Sequence, residues 1–313
     1  MKSLKPSRLR AGDLIGLVSP ASPIVDPSRI DKGVRYLESL GYRVEIAPSV
    51  LKNHGYLAGT DEERAGDLHA FFARKDVRAI MCIRGGYGTP RLLRLINYRL
   101  IASNPKIFVG YSDLTSLQLA IWKRTGLVQF HGPMVGVDMA DEMDAFTEGL
   151  FWQTVTAASR VGAIALPDPQ PTALTGGKAR GRLLGGNLAL LVSSMGTRYF
   201  PDFRDTLLYL EDIGEEPYRV DRMLFQLLNA GILHGVSGIL TGQFTDCGPK
   251  DTTKPSFSVD EVFRQIADLT DRPFLARLPF GHESRKMTIP LGITARVDAS
   301  RGTIEYLESA VSR

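Results

Sequence analysis

Apolar runs and amphipathic stripes alternate along the first half of the chain. Leu14 to Val18 is a short continuous apolar run followed by the turn-forming Ser19-Pro20-Ala21-Ser22-Pro23. It predicts a buried strand. Asp26-Pro27 then offers a capping residue and a proline for the first helical turn. Ile30, Val34, Leu37 and Leu40 recur at three and four residues, and Gly41 follows. That spacing predicts a helix with one apolar face and a glycine stop. Tyr42 to Ile46 predicts a second strand. Thr60 with Glu63 three residues later resembles a capping box, and Leu68, Phe71 and Phe72 belong to the helix behind it. Val77 to Ile83, Ile107 to Val109 and Leu127 to Phe130 predict three more strands, and a helix over 140–152 ends the pattern. Strands alternating with amphipathic helices imply an α/β fold with a mostly parallel sheet and flanking helices.

The pattern changes after residue 156. The segment from Ala157 to Lys178 carries Pro167, Pro169, Pro171 and Gly176-Gly177, which predicts a linker or an extended crossing segment. Beyond it, Leu188 to Val192, Pro217 to Leu228 and Val259 to Ile266 predict helices, while Leu207 to Leu210 and Ile239 to Thr241 predict strands. From Leu275 to Tyr306 the apolar pieces are short and broken by Pro and Gly, which suits antiparallel or mixed strands. The expected organisation is an N-terminal α/β domain over 1–156, a linker over 157–179, and a smaller C-terminal α/β domain with mixed strands over 180–313.

Composition narrows the function classes. The 313 residues carry 38 basic and 34 acidic side chains, a formal net charge of +4 without a dense basic run. Nucleic acid is not implied as a partner. No apolar stretch reaches transmembrane length and no h-region follows the N-terminus, so no membrane is implied and a cytoplasmic protein is expected. The two cysteines, Cys82 in an apolar run and Cys247 in a polar loop, do not make a disulfide framework; Cys247 is expected to be exposed. Neither a His-Glu-x-x-His motif nor a cysteine cluster points to a metal. The Arg84-Gly85-Gly86-Tyr87-Gly88 loop is not a dinucleotide fingerprint, since position 91 is arginine. Its amides suit an oxyanion equally well.

The candidate chemistry sits where strands end. Ile107-Phe108-Val109-Gly110-Tyr111-Ser112-Asp113-Leu114 reads as strand, corner and helix start, with Leu114, Leu117 and Ile121 as the helical stripe. Ser112 at such a corner would present its hydroxyl beside free N–H groups, as a nucleophile does. From this segment alone a helix cap is the commoner explanation. A serine nucleophile needs a base and a group to orient it. Of five histidines, His131 ends a strand and His282 lies in a turn; spacing alone does not choose between them. Glu211 follows four apolar strand residues and lies at a sheet rim, with Asp212 alternating to the other side. Arg84 is a candidate partner for a substrate carboxylate.

Taken in order, Gly16-Leu17-Val18-Ser19-Pro20-Ala21-Ser22, Arg84 to Gly88, Gly110-Tyr111-Ser112-Asp113, His131-Gly132-Pro133, Gly185-Gly186-Asn187, Leu210-Glu211-Asp212 and Gly281-His282 resemble the muramoyltetrapeptide LD-carboxypeptidases, serine peptidase family S66. The resemblance spans about residues 12 to 290. It implies Ser112 as nucleophile, His282 as general base and acid, Glu211 as the residue orienting His282, and the amides of Gly86 and Asp113 as oxyanion donors. It implies hydrolysis of the bond to terminal D-alanine in muropeptide tetrapeptides during peptidoglycan recycling, by a homodimer without metal or cofactor. Arg84, and more weakly Arg219, are the candidates for binding the terminal carboxylate. The serine corner lacks the second glycine of Gly-x-Ser-x-Gly, so the α/β-hydrolase fold is not assigned. Two alternatives stand beside this reading. One is the microcin C immunity branch of the same family, which hydrolyses peptidyl- or aminoacyl-nucleotides and would be favoured by an aromatic clamp for adenine. The other is a non-catalytic α/β ligand-binding protein.

Overall fold

The computed structural model describes residues 2–313. The strand segments of the first half form β1 (Leu14–Val18), β2 (Arg43–Ile46), β3 (Val77–Cys82), β4 (Ile107–Val109) and β5 (Gln129–His131). The rest of the chain contributes β6 (Gly162–Ala163), β7 (Thr172–Thr175), β8 (Lys178–Asn187), β9 (Thr206–Ile213) and β10 (Gly238–Thr245). It continues with β11 (Phe274–Ala276), β12 (Ile289–Leu291), β13 (Thr294–Asp298) and β14 (Thr303–Tyr306).

The first sheet has the order β12-β5-β4-β3-β1-β2. Its five N-terminal strands are parallel, and β12 arrives from the far end of the chain to pair antiparallel with β5, Ile289 opposite His131. The second sheet, β6-β14-β13-β8-β9-β10-β11-β7, is parallel over β8 to β11 and antiparallel outside. The α/β class with a parallel N-terminal sheet and a mixed C-terminal one is thus observed. The capping box also forms: the Thr60 hydroxyl accepts from Glu63 N–H, and the Glu63 carboxylate accepts from Thr60 N–H.

Four local readings differ from the sequence expectation. The Pro-rich segment 157–179 contains β6 and β7, which form the two outer edges of the second sheet. Proline and glycine are tolerated at such edges because one side of the strand has no ladder bonds to lose. Lys178–Asn187, where no strand was expected, is a ten-residue strand that leads into the helix Leu188–Ser193. A Cβ at Gly185 would fall 1.8 Å from the carbonyl oxygen of Tyr209, so its glycine lets β8 lie against β9. The helix expected over 140–152 runs from Ala145 to Thr156, with the Asp144 carboxylate accepting from Phe146 N–H. Cys247 is buried, not exposed, with its thiol against the Thr245 carbonyl.

The two sheets share their interior. One continuous apolar core joins Phe108, Phe130 and Leu117 to Tyr209, Phe280 and Tyr306 of the C-terminal part. A second core lies under the helices Pro217–Asn229 and Val259–Thr270 and takes in Leu119 and Trp122. The helix Leu114–Thr125 therefore contributes to both cores, and Leu114 through Trp122 are all buried. Burying each leucine there stabilises the fold by about 2 kcal/mol. The start of this helix is consequently held between the two sheets.

Candidate active site

Ser112 is one of the few non-glycine residues with a left-handed backbone, φ 66°. Such a conformation costs energy for an L-residue and persists when its surroundings impose it. Here β4 enters from one side and the buried helix leaves on the other. The Gln118 amide braces the corner by donating to the carbonyls of Gly110 and Phe130 at 3.0 and 3.1 Å. The helix-cap explanation fails, because no side chain at this helix start bonds its first-turn N–H groups. Asp113 instead turns its buried carboxylate to Thr89 N–H, 2.8 Å, while the Thr89 hydroxyl donates to the Asp113 carbonyl, 2.5 Å. Burial raises the Asp113 carboxyl above the usual carboxylate range, and the bonds from Thr89 oppose that.

The Arg84–Gly88 loop follows β3 and packs onto the serine. A Cβ at Gly85 would lie 2.9 Å from Ser112 Cβ and 3.0 Å from its Oγ. Gly86 has φ 114°, and a Cβ there would strike the Ser22 hydroxyl. Ser22 ties this loop down by accepting from Tyr87 N–H at 3.0 Å. Arg64, 1% exposed, donates to the carbonyls of Pro20 and Gly88 and pairs with Asp61 at 2.5 Å. The backbone N–H groups of Gly86 and Asp113 have no acceptor among the described residues. Both belong to the segments that flank Ser112.

Glu211 and His282 come together from the second sheet. Glu211 ends the apolar run of β9, is 0% exposed, and its Oε2 lies 2.8 Å from His282 Nδ1. Gly281, with φ 123°, permits the approach: a Cβ there would be 3.3 Å from Glu211 Oε2 and 3.1 Å from the Gln243 carbonyl. The His282 ring meets the Tyr111 ring edge-on with centroids 5.2 Å apart. Tyr111 precedes Ser112, so the imidazole sits against the serine corner of the first sheet. Lys286 holds Tyr111 from behind, its ammonium 3.1 Å from the phenol oxygen and paired with Asp138.

Asp212 faces the other way, as strand alternation requires. Its carboxylate accepts from Asn187 Nδ2 at 2.8 Å and from Ala189 N–H at 2.9 Å. Asn187 N–H in turn donates to the Thr115 hydroxyl at 3.0 Å, which ties β8 to the helix three residues after Ser112. Burial, with the nearby Glu211 charge, pushes the Asp212 carboxyl up to about 6.

The two histidines that spacing alone left open have different surroundings in the structure. His131 is 2% exposed, has no hydrogen bond at either ring nitrogen among the described residues, and is pushed down to about 4 by burial. Only His282 is paired with a carboxylate. Arg84 is half-buried on the loop beside Ser112; its guanidinium touches the Pro23 carbonyl at 3.4 Å and forms no ion pair among the described residues. Arg219 is exposed on the helix Pro217–Asn229 and is engaged by Tyr218 and Glu215 at 3.2 and 3.5 Å. Among the described residues no group of His, Cys, Asp and Glu could hold a metal ion, and no helix is long and apolar enough to cross a membrane.

Several supporting residues escaped sequence reasoning. Arg64 had a signal: it shares a helix face with Leu68, Phe71 and Phe72, where an arginine must find buried partners. Ser22 and Lys286 had none, since their partners are remote in the chain.

Comparison with known proteins gives these elements a family. Residues 15–132 match the LD-carboxypeptidase N-terminal domain, and residues 180–297 match the LD-carboxypeptidase C-terminal domain. The chain belongs to the LD-carboxypeptidase family. It is a serine peptidase family with an enzymatic fold, and this chain carries that fold over nearly its full length. A Bacillus subtilis (strain 168) relative, "Probable murein peptide carboxypeptidase", is 41% identical over 309 residues, covering 98% of this chain and 95% of the relative. The Escherichia coli "Microcin C7 self-immunity protein MccF" is 27% identical over 334 residues, covering 97% and 96%. The solved structure of wild-type apo MccF has a TM-score of 0.91 at 26% identity, over 99% of this chain and 100% of that one. The muramoyltetrapeptide carboxypeptidase from Oxalobacter formigenes has a TM-score of 0.82 at 32% identity, over 93% and 97%.

Proposed function

We propose that this LD-carboxypeptidase-family chain hydrolyses its substrate through Ser112, His282 and Glu211. The observation that carries the reading is the 2.8 Å contact between Glu211 Oε2 and His282 Nδ1, with the His282 ring against Tyr111 at the serine corner. Glu211 fixes the imidazole tautomer that has its proton on Nδ1 and leaves Nε2 as the base. Ser112 Oγ attacks the scissile carbonyl while Nε2 takes its proton. The N–H groups of Gly86 and Asp113 hold the oxyanion, and the glycine at 85 keeps the loop close enough to do so. His282 returns the proton to the leaving amine. Water, deprotonated by the same imidazole, then hydrolyses the acyl-enzyme and frees Ser112. Arg84, on the loop after β3 and without a carboxylate partner among the described residues, is the candidate for a substrate carboxylate. Arg219 is the weaker candidate because Glu215 already engages it.

Two substrates fit this chemistry. A murein tetrapeptide losing its terminal D-alanine is supported by the 41% identity to the Bacillus subtilis relative. An aminoacyl- or peptidyl-nucleotide is favoured by the backbone agreement, which is higher with MccF than with the muramoyltetrapeptide carboxypeptidase. It is also favoured by Tyr56 and Tyr87, both exposed and in edge contact at 5.4 Å, which put an aromatic surface on the loop beside Ser112. On structural similarity the nucleotide-linked substrate is the better supported of the two. The deciding experiment incubates the purified protein with muramoyl tetrapeptide and, separately, with an aminoacyl sulfamoyl adenosine. Released D-alanine selects the first, cleavage of only the second selects the other, and both activities should vanish in Ser112→Ala. If neither compound is cleaved and a serine-directed fluorophosphonate leaves Ser112 unlabelled, the hydrolase reading falls to that of a non-catalytic binder. A cytoplasmic homodimer, as the family resemblance implies, is part of the same proposal, and light scattering on the purified chain tests the dimer.

A further inference from the structure

His131 has no part in the chemistry above, yet it is buried a few residues from it in space. Its imidazole lies edge-on to Tyr209 at 5.6 Å and to Phe280 at 6.2 Å, and is tilted against Tyr111 at 5.6 Å. Tyr209 and Glu211 are two apart on β9, so they project to one face. Around this ring four polar atoms lack a hydrogen-bond partner among the described residues: both ring nitrogens of His131, the Tyr209 hydroxyl and Glu211 Oε1. All three residues are at most 2% exposed. One orphan is a common imperfection. Four in one cluster would be costly, since each buried polar group without a partner loses its hydration uncompensated.

Their chemistry is complementary. Glu211 Oε1 only accepts, and the Tyr209 hydroxyl donates and accepts. A neutral imidazole has one donor and one acceptor nitrogen. The rings of Tyr111, Tyr209 and Phe280 surround the imidazole. We propose that this interior holds ordered water linking Glu211 Oε1 to His131 and Tyr209, and that His131 is thereby a positioning residue for the Glu211 carboxylate. Glu211 then has both oxygens engaged, Oε2 by His282 and Oε1 from behind. A carboxylate held at one oxygen only could rotate away from the imidazole. Water suits the site because it can match two to four polar partners in an enclosed space. The surrounding burial keeps His131 uncharged, so it adds no positive charge beside His282.

This inference rests on the proposed roles of Glu211 and His282, and its test separates the two. A high-resolution crystal structure of the whole chain should show water within hydrogen-bond distance of Glu211 Oε1 and of His131 or Tyr209. The downfield proton NMR signal of His282 Nδ1–H should move upfield in Tyr209→Phe, which removes a single oxygen, and in His131→Phe. With whichever substrate the wild type cleaves, both variants should lose roughly tenfold in kcat, the worth of about one hydrogen bond, with KM changed less than twofold. His131→Gln, which keeps a donor and an acceptor, should restore most of the loss. A dry interior, or a His282 signal unmoved in Tyr209→Phe, overturns the inference. If Ser112 resists a fluorophosphonate in the wild type, the catalytic reading fails, while the water and the Nδ1–H signal still decide whether His131 positions Glu211.

Discussion

Acid should act on this fold through two buried groups of opposite sign. His131 is pushed down from 6.5 to about 4 because burial disfavours the imidazolium. The unfolded chain therefore takes up a proton near pH 6.5 that the native state refuses. Its contribution to stability is complete above pH 6.5 and is lost as the pH falls toward 4; at about 1.4 kcal/mol per pH unit it amounts to about 3 kcal/mol. Asp212 is the reverse. Burial and the Glu211 charge raise its carboxyl from 3.8 to about 6, so the native state keeps a proton that the unfolded chain releases. That contribution is complete below pH 3.8 and is lost as the pH rises through 6, again by about 3 kcal/mol. In the wild type the two nearly cancel between pH 4 and 6.5. Single variants should expose them. Urea unfolding at half-unit pH steps gives each stability relative to the wild type, which removes the background of the other carboxylates. Asp212→Asn should gain about 3 kcal/mol on the wild type between pH 4 and 6.5, and His131→Gln should lose about as much over the same interval. Difference curves that are flat to within about 0.5 kcal/mol, or that slope the same way, would refute the reasoning.

Other outcomes follow from individual contacts. Gly85→Ala should lower turnover at least roughly tenfold with a stability loss of about 1–3 kcal/mol, because the new methyl meets Ser112 Cβ at 2.9 Å; unchanged fluorophosphonate labelling of Ser112 would contradict this. Arg84→Ala should raise KM for a substrate with a free carboxylate about tenfold and leave kcat nearly unchanged, and steady-state kinetics giving the wild-type KM would remove Arg84 from that role. Thr60→Ala should cost about 1 kcal/mol by breaking the capping box, read as a lower urea midpoint with an unchanged slope.

Local physics was enough for much of this protein. Periodicity placed the five parallel strands of the first sheet and the helices Ser28–Ser39, Asp61–Ala73 and Leu114–Thr125, because apolar spacing records which side of an element is buried. The capping box at Thr60 and Glu63 was legible because all its atoms lie within one turn. Ser112 at a strand-to-helix corner and Glu211 at a strand end were legible as candidates for the same reason. What the corner was for was not. A cap and a nucleophile look alike in sequence; in the fold Thr89, remote in the chain, takes the Asp113 carboxylate while the helix start stays uncapped, which removes the cap explanation. Spacing alone likewise left His131 and His282 open; the family resemblance pointed to His282, and the fold shows how the two differ. Both follow apolar residues, but only the packing of β9 against the Phe280–His282 turn puts a carboxylate at 2.8 Å from one and aromatic rings around the other. The edge strands in the Pro-rich segment and the return of β12 to the first sheet were also beyond the sequence. Strand pairing over more than a hundred residues depends on which edge is left open once the rest has folded, and no local pattern carries that information.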